Sequence, residues 1–133
     1  MRFYFDANFS PHFIKGLGAI QDGRKSDDVT VHSVAEEFGQ SSPDEEWIPR
    51  VASRHGIVIT QDINIHRAQA QWALCQANKI GIFFFQPPKS GWDYWFIVQL
   101  IIRRWAEMTS LARGRKKPFG YIVKANKHRM SKL

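Results

Sequence analysis

The stretch Gly56-Ile57-Val58-Ile59-Thr60-Gln61-Asp62-Ile63-Asn64-Ile65-His66-Arg67 decides how the rest of this chain is read. Ile57 to Ile59 is a continuous β-branched run without polar alternation. Such a run suits a central strand of a parallel sheet, covered by helices on both faces. A run of that kind should end inside a protein, yet this one leads straight into Thr60, Asp62, Asn64, His66 and Arg67. Two readings compete. Asp62 and Asn64 can end a strand and start a helix, as short polar residues commonly do. Alternatively, the buried strand delivers them to a working edge of the sheet. Thr60, Asp62 and Asn64 offer several polar groups where a cap needs one, which singles out Asp62.

Elements on either side fit a central strand at this place. Upstream, Ser42-Pro43-Asp44-Glu45-Glu46-Trp47-Ile48 predicts a helix start with Ser42 as cap, Pro43 in the first position and Glu45 in the third. Trp47, Ile48, Val51 and Ala52 recur at helical spacing, Pro49 is awkward inside the second turn, and Gly56 closes the helix. Downstream, a helix is expected over 64–78, a buried strand over 80–85, a Pro/Gly loop over 86–91 and a long helix over 92–112. In that helix Trp95, Val98, Ile102 and Trp105 recur at helical spacing. Phe119 to Val123 reads as a last strand.

The amino-terminal part repeats the pattern. Arg2 to Asp6 reads as a short buried strand, and Ser10-Pro11 as the cap and first position of a helix. That helix is expected to end near Leu17, because Gly16 and Gly18 are poor interior residues. The 21–28 segment reads as an exposed loop, Val29 to His32 as a strand, and 34–38 as a loop or brief helix. Strands alternating with helices predict a three-layer α/β fold, with a mostly parallel central sheet flanked by helices.

The chain has 133 residues, enough for one core without disulfides. Its single cysteine, Cys75, excludes an internal disulfide and suits a reducing cytoplasm. Met1-Arg2-Phe3-Tyr4-Phe5 meets Asp6 too early for a signal peptide. The longest apolar segment, 94–102, stops at Arg103-Arg104, well short of the roughly 20 residues a membrane span needs. No membrane association is expected.

The net charge of +7 is lopsided. Residues 1–102 carry 9 Lys/Arg against 11 Asp/Glu, and residues 103–133 carry 10 against 1. A nearly neutral body therefore ends in a basic segment. Such a segment meets nucleic acid phosphates or an acidic partner, or acts only as a solubilising tail.

In open parallel sheets, ligands bind beyond the carboxyl ends of the strands. Asp6 and Asn8 follow the first strand there, and Asp62 and Asn64 follow the strand at 57–60. Asp44 and Glu45 open a helix that can point the same way. Two sheet-end carboxylates with one or two from a helix make a reasonable Mg²⁺ or Mn²⁺ site, since these ions take oxygen ligands.

These residues carry a family resemblance. An opening strand ending in Phe5-Asp6-Ala7-Asn8-Phe9-Ser10-Pro11, then the Asp44-Glu45-Glu46 helix start, then a strand ending in Thr60-Gln61-Asp62, resembles the PIN-like domains of the small DUF5615 type. Those are relatives of the PIN-domain ribonuclease toxins of toxin–antitoxin systems. The motifs arrive in order within residues 1–67. The chain departs from the pattern at Asn64, where the family often has a second acid.

The resemblance implies a PIN-like nuclease domain, expected over 1–112; the basic extension over 113–133 is outside the resemblance and can add a strand to the same domain. It also implies metal-dependent hydrolysis of RNA, with Asp6, Asp44, Glu45 and Asp62 as catalytic and Mg²⁺- or Mn²⁺-binding residues. Asn8, Thr60 and Asn64 would orient those ligands. Arg103, Arg104, Arg113, Arg115, Lys116 and Lys117 would contact RNA phosphate, as would His66 and Arg67, with Phe119 or Tyr121 as stacking surfaces. An antitoxin protein is the expected partner, and a homodimer is compatible with the aromatic helix at 92–105. The competing reading is an inert PIN-like module that binds RNA or an acidic antitoxin through its basic end.

Overall fold

A computed structural model of the chain describes residues 1–62, 64–125 and 129–133. The described residues form one six-stranded sheet. In chain order the elements are β1 (Arg2–Phe5), α1 (Pro11–Asp22), β2 (Thr30–Ser33), α2 (Val34–Phe38), α3 (Asp44–Ser53) and β3 (Gly56–Gln61). They continue with α4 (Ile65–Ala77), β4 (Gly81–Gln86), α5 (Tyr94–Gly114), β5 (Phe119–Lys124) and the short β6 (Ser131–Lys132). The strand order is β2-β1-β3-β4-β5-β6. The first five strands are parallel, and only β6 is antiparallel, beside β5. The α/β expectation therefore holds. Ile63, Asn126, Lys127 and His128 lie outside the described residues, so part of the expected basic segment does too.

The sheet divides the core in two. Alternate residues of a strand face opposite sides. Phe3, Phe5, Ile57, Ile59, Phe83 and Phe85 pack against α1 and α5, with Leu17, Leu100, Ile101 and Met108 among their partners. Tyr4, Val58 and Ile82 face the other way, onto Trp47, Ile48 and Val51 of α3 and Cys75 of α4. Both faces of β3 are covered: Ile57, Val58 and Ile59 are each fully buried. That explains why the strand shows no polar alternation.

Two expectations about helix ends are corrected. The first helix passes Gly16 and Gly18 and runs to Asp22. Its buried residues Phe13, Ile14, Leu17 and Gln21 keep the helical period across the glycines, and that burial outweighs the cost of two glycines. The third helix starts one residue later than its capping pattern suggests. Pro43, not Ser42, is its cap residue, no side chain caps it, and Asp44, Glu45 and Glu46 form its first turn. Pro49 stands within this helix without ending it.

Parallel strands put all their carboxyl ends at one edge. The long helix α5 leaves that edge after β4 and runs back to the other. Near its end the Arg113 guanidinium donates to the Asp27 carbonyl, at 2.7 Å, just before β2 begins. Lys117 Nζ, beyond the helix, donates to the His55 carbonyl at 3.4 Å, just before β3. Among the described residues no helix is long and apolar enough to cross a membrane.

Candidate functional site

Strand parity assembles the site. Asp6 lies two residues after Tyr4, and Thr60 and Asp62 two and four after Val58, so all three continue toward the α3/α4 face at the carboxyl edge. The registers Tyr4↔Val58 and Phe5↔Ile59 make the ends of β1 and β3 neighbours, and the Asp6 amide closes the ladder on the Ile59 carbonyl at 3.0 Å. From the helix layer, α3 brings its first residue, Asp44, and α4 brings Arg67 and Gln71. Arg67 and Gln71 are four apart and share one helix face.

Asp6 is the deepest of the acids, with 1% of its surface exposed. One carboxylate oxygen accepts the Asn8 amide at 3.0 Å, and the other is in short contact with the Thr60 hydroxyl. Burial pushes the Asp6 carboxyl up from its ordinary 3.8 to about 7, against the lowering effect of the Thr60 and Asn8 hydrogen bonds and of nearby Arg67. Thr60 has one hydroxyl proton and two oxygen neighbours, Asp6 Oδ2 and Gln71 Oε1, the latter at 3.0 Å. With Asp6 protonated, the chain of donors runs from Asp6 to Thr60 to Gln71 without conflict.

Asp44 and Asp62 meet on Arg67. The guanidinium grips Asp44 through two bonds, Nε to Oδ2 and Nη2 to Oδ1, both 3.2 Å. Its third bond runs from Nη1 to Asp62 Oδ2 at 2.8 Å. Fork-shaped pairing of this kind is the strong arginine–carboxylate geometry. The Trp47 indole also donates to Asp44 Oδ1 at 3.0 Å, and the Asn64 amide to Asp62 Oδ1 at 2.8 Å. Both carboxylate side chains are only 12% exposed, and the arginine is 39% exposed. The two carboxylates raise the Arg67 pKa further, so it is cationic at any relevant pH.

Asn64 is a helix cap: its Oδ1 accepts the His66 and Arg67 amides at 3.0 and 3.3 Å. Asn8 ties two loops together. Its Nδ2 donates to the Gln61 carbonyl and Gln61 Nε2 donates back to the Asn8 carbonyl, each at 2.8 Å. Asp6, Asp44, Asp62 and Thr60 are thus brought together, with Arg67 between the two outer acids. Glu45 is exposed on the first turn of α3 and makes no described contact with the other acids. His66 is exposed at the same edge.

The basic residues are elsewhere. Arg113, Arg115, Lys116 and Lys117 lie at the opposite, amino edge of the sheet, while Arg103 and Arg104 lie midway along α5. Of the two aromatics, Phe119 packs on Gly81 and Phe83, and Tyr121 stacks on Phe83 at 5.7 Å, so both serve the core.

Buried carboxylate oxygens fit a divalent cation in kind, and the raised Asp6 carboxyl is one that a cation would favour in its charged form. No three His, Cys, Asp or Glu side chains among the described residues are set to hold an ion. Arg67 already fills that electrostatic role for Asp44 and Asp62. Sequence reasoning had no sign of this clasp beyond the four-residue spacing of Arg67 and Gln71. The indole support of Asp44 was likewise foreshadowed only by the spacing of Asp44 and Trp47.

A family model described as a PIN-like domain matches residues 1–87, which contain Asp6, Asp44, Asp62 and Arg67. No curated protein and no solved structure matches the chain.

Proposed function

The chain belongs to the PIN-like domain family, a family of nuclease type, and from that premise we propose that it is a divalent-metal-dependent endoribonuclease. The observation that carries this reading is the convergence of Asp6, Asp44 and Asp62 at the carboxyl edge, with Asp6 almost fully out of water. Burial of the Asp6 carboxyl carries a cost that its hydrogen bonds to Thr60 and Asn8 offset only in part, and Arg67 pairs with Asp44 and Asp62 but not with Asp6.

Asp6, Asp44 and Asp62 would hold Mg²⁺ or Mn²⁺, with Glu45 close enough in sequence to join through water. A bound ion of this kind lowers the pKa of a coordinated water and offsets charge developing on the phosphate oxygens. Thr60 and the Asn8 amide fix the Asp6 carboxylate, and the Trp47 indole fixes Asp44. Arg67, which pairs with Asp44 and Asp62, would have to give them up for both to hold an ion, and its guanidinium would then be free to meet a substrate phosphate. The basic edge would hold the flanks of a longer RNA, or an acidic antitoxin in a toxin–antitoxin pair.

One observation favours a second reading, the inert binding module: Arg67 neutralises two of the three carboxylates. Cleavage of a mixed RNA pool by purified protein with Mn²⁺, alongside Asp62→Asn, separates the two. The nuclease cuts and its variant falls by about a hundredfold or more, as for loss of a group that directs the reacting centre. Salt-sensitive RNA binding without turnover would establish the module instead.

A further inference from the structure

A cavity of about 470 Å³ opens on the other side of the same sheet edge, a size usual for small-molecule sites. Asn8, Gln61 and Asp62 form the wall it shares with the acid cluster. Phe9 and Ile97 give it an apolar floor, and Trp92, just before α5, and Tyr94, its first residue, bring aromatic rings. Tyr94 is 45% exposed, so its ring is open to a ligand.

The polar groups around this cavity are set in a particular way. Asn8 and Gln61 spend their side-chain N–H groups on each other's backbone carbonyls. Their side-chain carbonyl oxygens have no partner among the described residues and are held in place as acceptors. The Trp92 indole N–H is out of water and also has no partner among the described residues.

We propose that this cavity is a subsite for one unpaired nucleobase of single-stranded RNA, with Tyr94 as the stacking surface and Asn8 and Gln61 as acceptors for the base N–H groups. The inference rests on the nuclease reading, since Asp62 belongs both to the acid cluster and to the cavity wall. A phosphate over the acids places its neighbouring base at the cavity mouth. A base has both a flat apolar face and an edge of donors and acceptors, which is what the walls present. A base already paired in a duplex has neither face nor edge free, so the substrate is single-stranded here.

The test is fluorescence anisotropy of labelled five-nucleotide single-stranded RNAs with the full chain in EDTA, where binding is read without cleavage. Tyr94→Ala should weaken binding by about tenfold, within the range for loss of one stacked base. Tyr94→Phe should restore it, and Ile20→Ala, an exposed apolar residue near the opposite edge, should stay within about twofold of wild type. Equal binding by Tyr94→Ala and wild type, equal loss in Ile20→Ala, or full competition by the paired stem of a stable RNA hairpin would overturn the proposal. Adding Mn²⁺ separates it from the nuclease reading. A Tyr94 effect without cleavage by wild type leaves the subsite standing alone, whereas cleavage indifferent to Tyr94→Ala leaves the nuclease without the subsite.

Discussion

Asp6 concentrates the physics of the site in one side chain. In the unfolded chain it titrates near 3.8, and in the fold burial lifts it to about 7. Folding therefore favours the protonated form. The stability from this group is whole below about pH 4 and is lost as pH rises to about 7, above which it changes no further. Denaturant unfolding in EDTA should show this slope, and Asp6→Asn should flatten it; an unchanged slope would mean that Asp6 is solvated or permanently paired. Arg67 makes the opposite contribution, cancelling charge on Asp44 and Asp62. Arg67→Ala should lower metal-free stability by about 1–2 kcal/mol, a figure reduced for the partial exposure of the guanidinium. The same variant should bind Mn²⁺ about tenfold more tightly by calorimetry, because the ion no longer displaces a resident cation. Weaker Mn²⁺ binding would instead make Arg67 a supporting residue. Neither role was legible in the sequence. Arg67 stands three residues after the Asn64 cap on a helix of weak amphipathicity, and nothing local tells whether its long side chain turns to solvent or back over the edge.

At the scale of elements, the sequence was most informative where one strong constraint acts alone. The Ile57 to Ile59 run has one comfortable environment, between two helical layers, and β3 occupies it. Strand parity then sends Tyr4 and Asp6 with Val58, Thr60 and Asp62 to one face, which the residue spacing already implied. Helix ends were less legible where constraints compete. Gly16 and Gly18 lower local helix propensity, but the buried side chains of Phe13, Ile14 and Leu17 carry α1 through to Asp22. Close strand packing sets a further limit. A Cβ at Gly81 would lie 2.1 Å from the Phe119 ring, across the β4/β5 register. Gly81→Ala should therefore cost about 1–3 kcal/mol in thermal or denaturant unfolding. A silent substitution would show that Phe119 can move aside freely.

At the scale of the whole molecule, charge is separated along the strands. Asp6, Asp44 and Asp62 gather at the carboxyl edge and Arg113, Arg115, Lys116 and Lys117 at the amino edge, with α5 between them, about 30 Å long for its 21 residues. The sequence revealed the basic end but not its distance from the acids, because that distance follows from the return path of α5. An RNA of a few nucleotides cannot engage both. Neutralising Arg115 and Lys116 together should reduce the salt dependence of binding to long RNA by a slope of about 1.4, as expected for two single-strand phosphate contacts. It should leave a five-nucleotide RNA almost unaffected. An equal effect on both lengths would place the short RNA at the basic edge and away from the acids.

The most direct test of the proposal that Asp6, Asp44 and Asp62 act as one divalent-cation site is calorimetric titration of Mn²⁺ into the metal-free protein, with Asp6→Asn and Asp62→Asn measured alongside. The arrangement calls for saturable binding by wild type that either single substitution weakens by about tenfold or more, each removing one charged oxygen ligand. Saturable binding that survives both substitutions unchanged would place the cation elsewhere and leave the three acids as Arg67's partners only.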